Sequence, residues 1–200
     1  MNLKKAFLII LLILLIDQFS KVYIKLHFPL TLYGETALLD WGWFKILFVE
    51  NKGMAWGTKL NDILPFIQER TGKLILTLFR VLVVPIIFYW LYDSIRKNTN
   101  KLLPFCLSLI LAGALGNILD SVFYGYLFTD SYYNIASFSP GNGYESFLHG
   151  NVVDMLQFPM FTWEWPVWIP YIGGNEFTFF EPVFNIADSA ISVGVGIMLV

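Results

Sequence analysis

One four-residue pattern occurs twice in this 200-residue chain, each time at a boundary of an apolar run. Asn117-Ile118-Leu119-Asp120 closes one run, and Asn185-Ile186-Ala187-Asp188 opens the next. Asp154 lies between them, in the short β-like stretch Gly150-Asn151-Val152-Val153-Asp154-Met155. Residues three apart on a helix share a face, so each Asn is expected beside its Asp. Two carboxyl groups facing one water can divide the work of hydrolysis. One, ionised, takes a proton from the water; the other, protonated, supports the carbonyl oxygen. Held close together they cannot both ionise cheaply, and a low dielectric sharpens that conflict. By position alone, Asp120 and Asp188, at the mouths of two apolar helices, are the pair to choose, with Asp154 as the third acid. Each also has a structural reading: Asp188 can complement a helix N-terminus, and Asp17 can pair with Lys21. Asp120, read as lying at a helix C-terminus, has the wrong sign for the dipole there.

Other chemistry is weaker. Ser20 and Lys21 are adjacent on a helix and point about 100° apart, so they do not form a nucleophile–base pair. Cys106 lies fourteen residues from Asp120, roughly 21 Å along a helix, and reads as a packing residue. His149 reads as a loop contact. One cysteine and two histidines leave no metal site or disulfide framework, and no metal or organic cofactor is implied.

The elements that must position these acids are membrane helices. Hydrophobic residues are 56% and charged residues 14%, well below the charge of a soluble domain. A net charge of −2 gives no case for nucleic acid. Apolar segments run over about 6–28, 74–92, 102–119 and 184–200, which predicts a single, mainly α membrane domain of four transmembrane helices. The fourth is the shortest. Asp17, Lys21 and Lys25 form one polar stripe on the first, which reads as a retained anchor because no small-residue cleavage site follows it. All thirteen Lys and Arg lie between Lys4 and Lys101. Lys4 and Lys5 before the first span, and Arg96, Lys97 and Lys101 between the second and third, mark cytoplasmic sides. Both termini are then cytoplasmic, and the connections 29–73 and 121–183 lie outside. Leu38 to Val49 is expected to form one or two short strands of a small β-containing outer subdomain, and Ser137 to Gly143 a turn. The ten aromatics of Phe158 to Phe184 suit either the membrane–water interface or a small core.

Five blocks, in order, resemble the lipoprotein signal peptidases (signal peptidase II), aspartic peptidases of bacterial inner membranes. They are Asp17-Gln18-Phe19-Ser20-Lys21, Asn51-Lys52-Gly53-Met54-Ala55-Trp56-Gly57, Gly113 to Asp120, His149 to Asp154, and Phe184 to Ala190. The resemblance implies that Asp154 and Asp188 are the catalytic dyad. It implies supporting or substrate-binding roles for Asp17, Lys21, Asn51, Gly53, Trp56, Asn117, Asp120 and Asn185. It also implies the substrate: a diacylglyceryl-prolipoprotein, cut just before its lipidated cysteine in contact with membrane lipids. Nothing requires more than a monomer. Three departures stand out. Ser121 occupies a position where the family usually has Arg, leaving Lys21 or Lys52 to supply a cation. The intervals around Asp154 are long, and no basic residue follows Phe184. The rival reading, a small ion-coupled transporter or channel subunit, would want polar groups spread through the bilayer midplane, but the third span is apolar from Leu109 to Leu115.

Overall fold

The computed structural model describes residues 1–30, 36–53, 58–98 and 100–199. In chain order the helices are α1 (Leu3–His27), the short α2 (Leu60–Ile63), α3 (Glu69–Arg96), α4 (Leu102–Leu119), the single turn α5 (Gly125–Leu127) and α6 (Ile186–Leu199). The strands are β1 (Leu39–Asp40), β2 (Lys45–Asn51), β3 (Val152–Gln157), β4 (Phe161–Glu164) and β5 (Glu176–Phe179). Among the described residues, three helices are long and apolar enough to cross a membrane: α1, α3, and α4 with its continuation to Leu127. The fourth apolar helix, α6, has 14 residues.

These helices are inside-out relative to those of a soluble bundle. Asn2 caps α1, its Oδ1 accepting from the Lys5 amide at 2.9 Å. Further along α1, Asp17, Lys21 and Lys25 are completely buried, while Phe7, Leu8, Leu15 and Phe19 face outward. The polar stripe points into the protein and the apolar faces supply a lipid-facing belt. Of the most apolar stretch of each long helix, 50% is buried in α4, against 17% in α1 and 11% in α3, which puts α4 at the centre. It packs on α6, α1 and α3. Small residues permit the approach: at Gly113 a β-carbon would overlap the Ala187 carbonyl, and at Gly116 it would lie 2.7 Å from Asp17 Oδ2.

Helix α4 does not end where its apolar run suggests. It passes into a π turn, Asp120–Tyr124, and then α5. Asp120 is therefore inside a continuous helical segment, and the expected clash with a C-terminal dipole does not arise. The Ser121 and Val122 carbonyls, which a π turn leaves accessible, accept from the Gly150 amide (2.9 Å) and the Leu148 amide (3.0 Å). The loop leading to β3 is thereby stitched onto the end of α4. Only glycine fits at 150, because a β-carbon would collide with the Asp120 carbonyl.

Strands β1, β2 and β3 form an antiparallel sheet in that order. The register pairs Val49 with Asp154, Glu50 with Val153 and Asn51 with Val152. Ile24, Phe48, Tyr124, Phe128, Val153 and Met155 form the core that seats this sheet on α1 and the π turn. Both stretches expected to be extended, Leu38–Val49 and Gly150–Met155, contain strands. The aromatic segment holds a two-stranded hairpin, β4 with β5, joining Phe161 to Phe179 and Thr162 to Thr178. Trp168 and Tyr171, at its far end, are exposed.

Candidate active site

Asn185 is the hub at which three elements meet. It is completely buried, and its side-chain amide donates to Asp154 Oδ1 (2.7 Å), Asn117 Oδ1 (3.1 Å) and the Val153 carbonyl (3.2 Å). Its Oδ1 accepts from the Asp188 amide at 2.9 Å, while its own amide donates to Asp188 Oδ2 at 3.3 Å. That reciprocal pair is a capping box at the start of α6. It is the physical reason for the Asn-x-x-Asp spacing, and it satisfies amides that a helix start leaves without partners.

Asn117 uses the same spacing differently. It does not bond Asp120; its amide donates to Asp188 Oδ1 at 2.7 Å. Asp188 is thus fixed from both α4 and its own helix, and it stays half-buried. Asp154, on β3, is 3% exposed and also accepts from the Asn51 amide at 3.2 Å. Burial pushes its carboxyl up to about 7, the charge of Asp188 adding to the effect; hydrogen bonds from Asn51 and Asn185 and the charge of Lys21 oppose it.

Asp120 belongs to a different cluster. Lys21 Nζ lies 2.8 Å from Asp120 Oδ2, 2.8 Å from Asp17 Oδ2 and 3.1 Å from Asn117 Oδ1. Asp120 also accepts from Gln18 Nε2 (2.8 Å) and from the Val153 amide (3.3 Å). Asp17 Oδ1 accepts from the Ala187 amide at 3.0 Å. Asp17, Lys21 and Asp120, all fully buried, therefore tie α1 to α4, to β3 and to the N-terminus of α6. By contact, then, Asp120 pairs with Lys21, whereas Asp188 shares Asn185 with Asp154.

Gly53 donates its amide to Asn51 Oδ1 at 2.8 Å, holding that side chain in place. Trp56 lies outside the described residues. His149 makes loop contacts, with the Phe147 carbonyl and Ser146 Oγ. Of the two cations expected to compensate for Ser121, Lys21 contacts Asp17 and Asp120 and its charge reaches Asp154, whereas Lys52 lines a neighbouring groove. Arg80 of α3 also reaches Ser121, donating from Nη1 to its Oγ at 3.2 Å. Sequence reasoning passed over it, although a lone cation in an apolar span was the available signal. It also passed over Gln18 and the pair Lys25–Glu50, which binds α1 to β2. The groove, about 790 Å³, is lined among others by Glu50, Lys52, Lys73, Tyr144 and Asn151. It adjoins the Asn51 strand end without including either Asp154 or Asp188.

A family model described as signal peptidase (SPase) II matches residues 9–200. The chain belongs to the signal peptidase II family. Proteins named lipoprotein signal peptidase are similar across nearly all of it. One from Porphyromonas gingivalis (strain ATCC 33277) is 44% identical over 194 residues, which is 96% of this chain and 80% of that protein. One from Amoebophilus asiaticus (strain 5a2) is 32% identical over 196 residues, 98% of this chain and 76% of that protein. The fold is shared with a bacterial membrane enzyme solved by the in meso method at 2.3 Å. The TM-score is 0.61 at 23% identity, covering 98% of this chain and 86% of that one. Signal peptidase II membership makes the chain a multi-pass membrane peptidase and leaves the transporter reading without support.

Proposed function

We propose that this chain is an aspartic endopeptidase of a bacterial inner membrane that removes the signal peptide from diacylglyceryl-modified prolipoproteins. It cuts the peptide bond before the lipidated cysteine. Asp154 and Asp188 are its dyad. The observation that carries this reading is the coupling of these two carboxyl groups through Asn185, in a chain of the signal peptidase II family.

In the proposed reaction Asp188, the more open acid, is ionised and takes a proton from water. The resulting hydroxide attacks the carbonyl carbon before the cysteine, while protonated Asp154 gives its proton to the carbonyl oxygen. The tetrahedral diol then collapses. Asp188 hands its proton to the cysteine nitrogen, Asp154 recovers its own from the diol, and the C–N bond breaks. One water is consumed, and both acids return to their starting states. Asn117, Asn185 and Asn51 orient them; Asp17, Lys21 and Asp120 hold the elements that carry them. In this reading the chain crosses the membrane four times, α6 included, and the sheet belongs to an outer subdomain. The site then lies at the extracytoplasmic rim, where a lipid-anchored cysteine can present its peptide bond. The Lys residues at the start of α1 and the Lys and Arg around the α3–α4 link support that orientation.

The test is cleavage of a diacylglyceryl-modified prolipoprotein peptide by purified protein. Asp154→Asn and Asp188→Asn should each abolish the shift to the mature form while the protein still unfolds in a cooperative transition. Turnover by either variant would remove that residue from the dyad.

A further inference from the structure

Among the described residues, five cations come near the candidate site; Lys52 lines the neighbouring groove, and three of the other four are occupied. Lys21 is completely buried, and its three N–H groups face Asp17, Asp120 and Asn117. Lys25 is committed to Glu50 and Ser131. Lys73 is nearly buried against the Asn51 carbonyl (3.4 Å) and Asn151 Oδ1 (3.2 Å). Arg80 differs. It is half-exposed, and the described residues take two of its five N–H groups: Nη1 at Ser121 Oγ (3.2 Å) and Nη2 at the Gly53 carbonyl (3.1 Å).

Those two partners bracket the dyad. Ser121 Oγ donates to the Asn117 carbonyl at 2.9 Å, and Asn117 holds Asp188. Gly53 holds Asn51, which donates to Asp154. The acids whose charges act on Arg80 are Asp188 of α6 first, then Asp154 of β3 and Asp120 of the π turn; Lys73, on its own helix, is the neighbouring like charge. A guanidinium set in an apolar span is costly unless it serves a ligand or a partner. No Lys or Arg follows Lys101, so the outer loop beyond α4 offers no alternative.

We propose that Arg80 is the substrate-facing cation of this site, donating to a main-chain carbonyl oxygen of the bound peptide beside Asp188. A planar fork with donors to spare suits a peptide carbonyl. Arg80 also stabilises the ionised member of the pair by its charge, and through Ser121 and Gly53 it ties α3 to the elements that orient both acids. This rests on the dyad assigned above.

The experiment compares purified full-length wild type, R80K, R80Q and the relocated double variant R80Q/S121R. Each is assayed on diacylglyceryl-modified prolipoprotein peptide over a pH series, with D154N alongside and thermal unfolding in detergent as the folding control. R80Q should lose about 10- to 100-fold in kcat/KM, as expected for a charge-assisted hydrogen bond. The acid limb of its pH profile should move to higher pH, because the carboxylate that must ionise has lost a neighbouring positive charge. R80K should keep the limb in place with part of the activity, and R80Q/S121R should recover at least roughly tenfold over R80Q. If R80Q stays within about threefold of wild type with its limb unmoved while D154N is dead, Arg80 is not the substrate cation and the dyad stands. Turnover by D154N would instead remove the dyad, and this role with it. Should R80Q fail to fold, R80K decides: reduced kcat/KM with an unmoved limb upholds the role, and full wild-type kcat/KM overturns it.

Discussion

Asn185 orients both carboxyl groups, so its loss should resemble a loss of chemistry more than a loss of binding. Asn185→Ala removes the donor to Asp154 and the cap of α6 in one step. The expected result is a kcat reduced by roughly 100-fold with KM little changed, and a stability cost of about 0.5–2 kcal/mol from the cap. Steady-state kinetics and thermal unfolding of the purified variant check both. Asp154 sets a pH dependence whose direction follows from its carboxyl being raised to about 7. The proton that the proposed reaction requires there is present below that value and lost above it, so kcat/KM should fall as pH rises past about 7. The stability effect has the same direction. The folded carboxyl binds its proton more tightly than the unfolded one, so stability should decline as pH rises from roughly 4 to 7 and level off above. Asp154→Asn, which cannot ionise, should therefore gain thermal stability relative to wild type at alkaline pH and not at acid pH. Lys21 is the opposite case. Lys21→Met leaves Asp17 and Asp120 buried without their cation, and a cost of about 3–5 kcal/mol is expected. Unchanged unfolding of that variant would mean that the acids are held by other means.

Among the elements, the contact of α4 with α6 is the tightest constraint on the site, since it sets how far Asn117 stands from Asp188. Gly113→Leu should drive the two helices apart, reducing cleavage at least tenfold and lowering the unfolding temperature. The same substitution at Gly196, where no atom lies within 4 Å of the added β-carbon, should be tolerated. Much of this arrangement is legible in the sequence. Long apolar runs declare α1, α3 and α4, and the buried stripe of Asp17, Lys21 and Lys25 is visible as a spacing of four. β-Branched and aromatic residues mark β2, and the consecutive Val152 and Val153 mark β3. The π turn is not legible, because Asp120–Tyr124 continues an apolar helical run and is pinned from elsewhere by the Leu148 and Gly150 amides. Nor is the β4–β5 hairpin, whose strands pair across an eleven-residue link containing Pro166 and Pro170. Asp154 was visible as an acid, but its place beside Asn185 depends on the β2–β3 register and on the Leu156–Phe184 bridge, which composition does not encode.

At the scale of the whole molecule, the proposed topology makes a labelling prediction. Cys106 is completely buried and should stay silent, so single cysteines can be placed at will. In intact cells a membrane-impermeant maleimide should modify Asn142→Cys in the outer loop and spare Lys97→Cys until the membrane is opened. The reverse pattern would invert the protein. The bond from the Ala187 amide to Asp17 Oδ1 joins residues 170 positions apart, so the first helix holds the start of the last. During synthesis, a chain halted before α6 lacks Asp188, the hub Asn185 and the amide that occupies Asp17. On the proposed dyad, such a nascent chain threads into the bilayer chemically inert, and proteolytic competence arrives all at once, when α6 has been made.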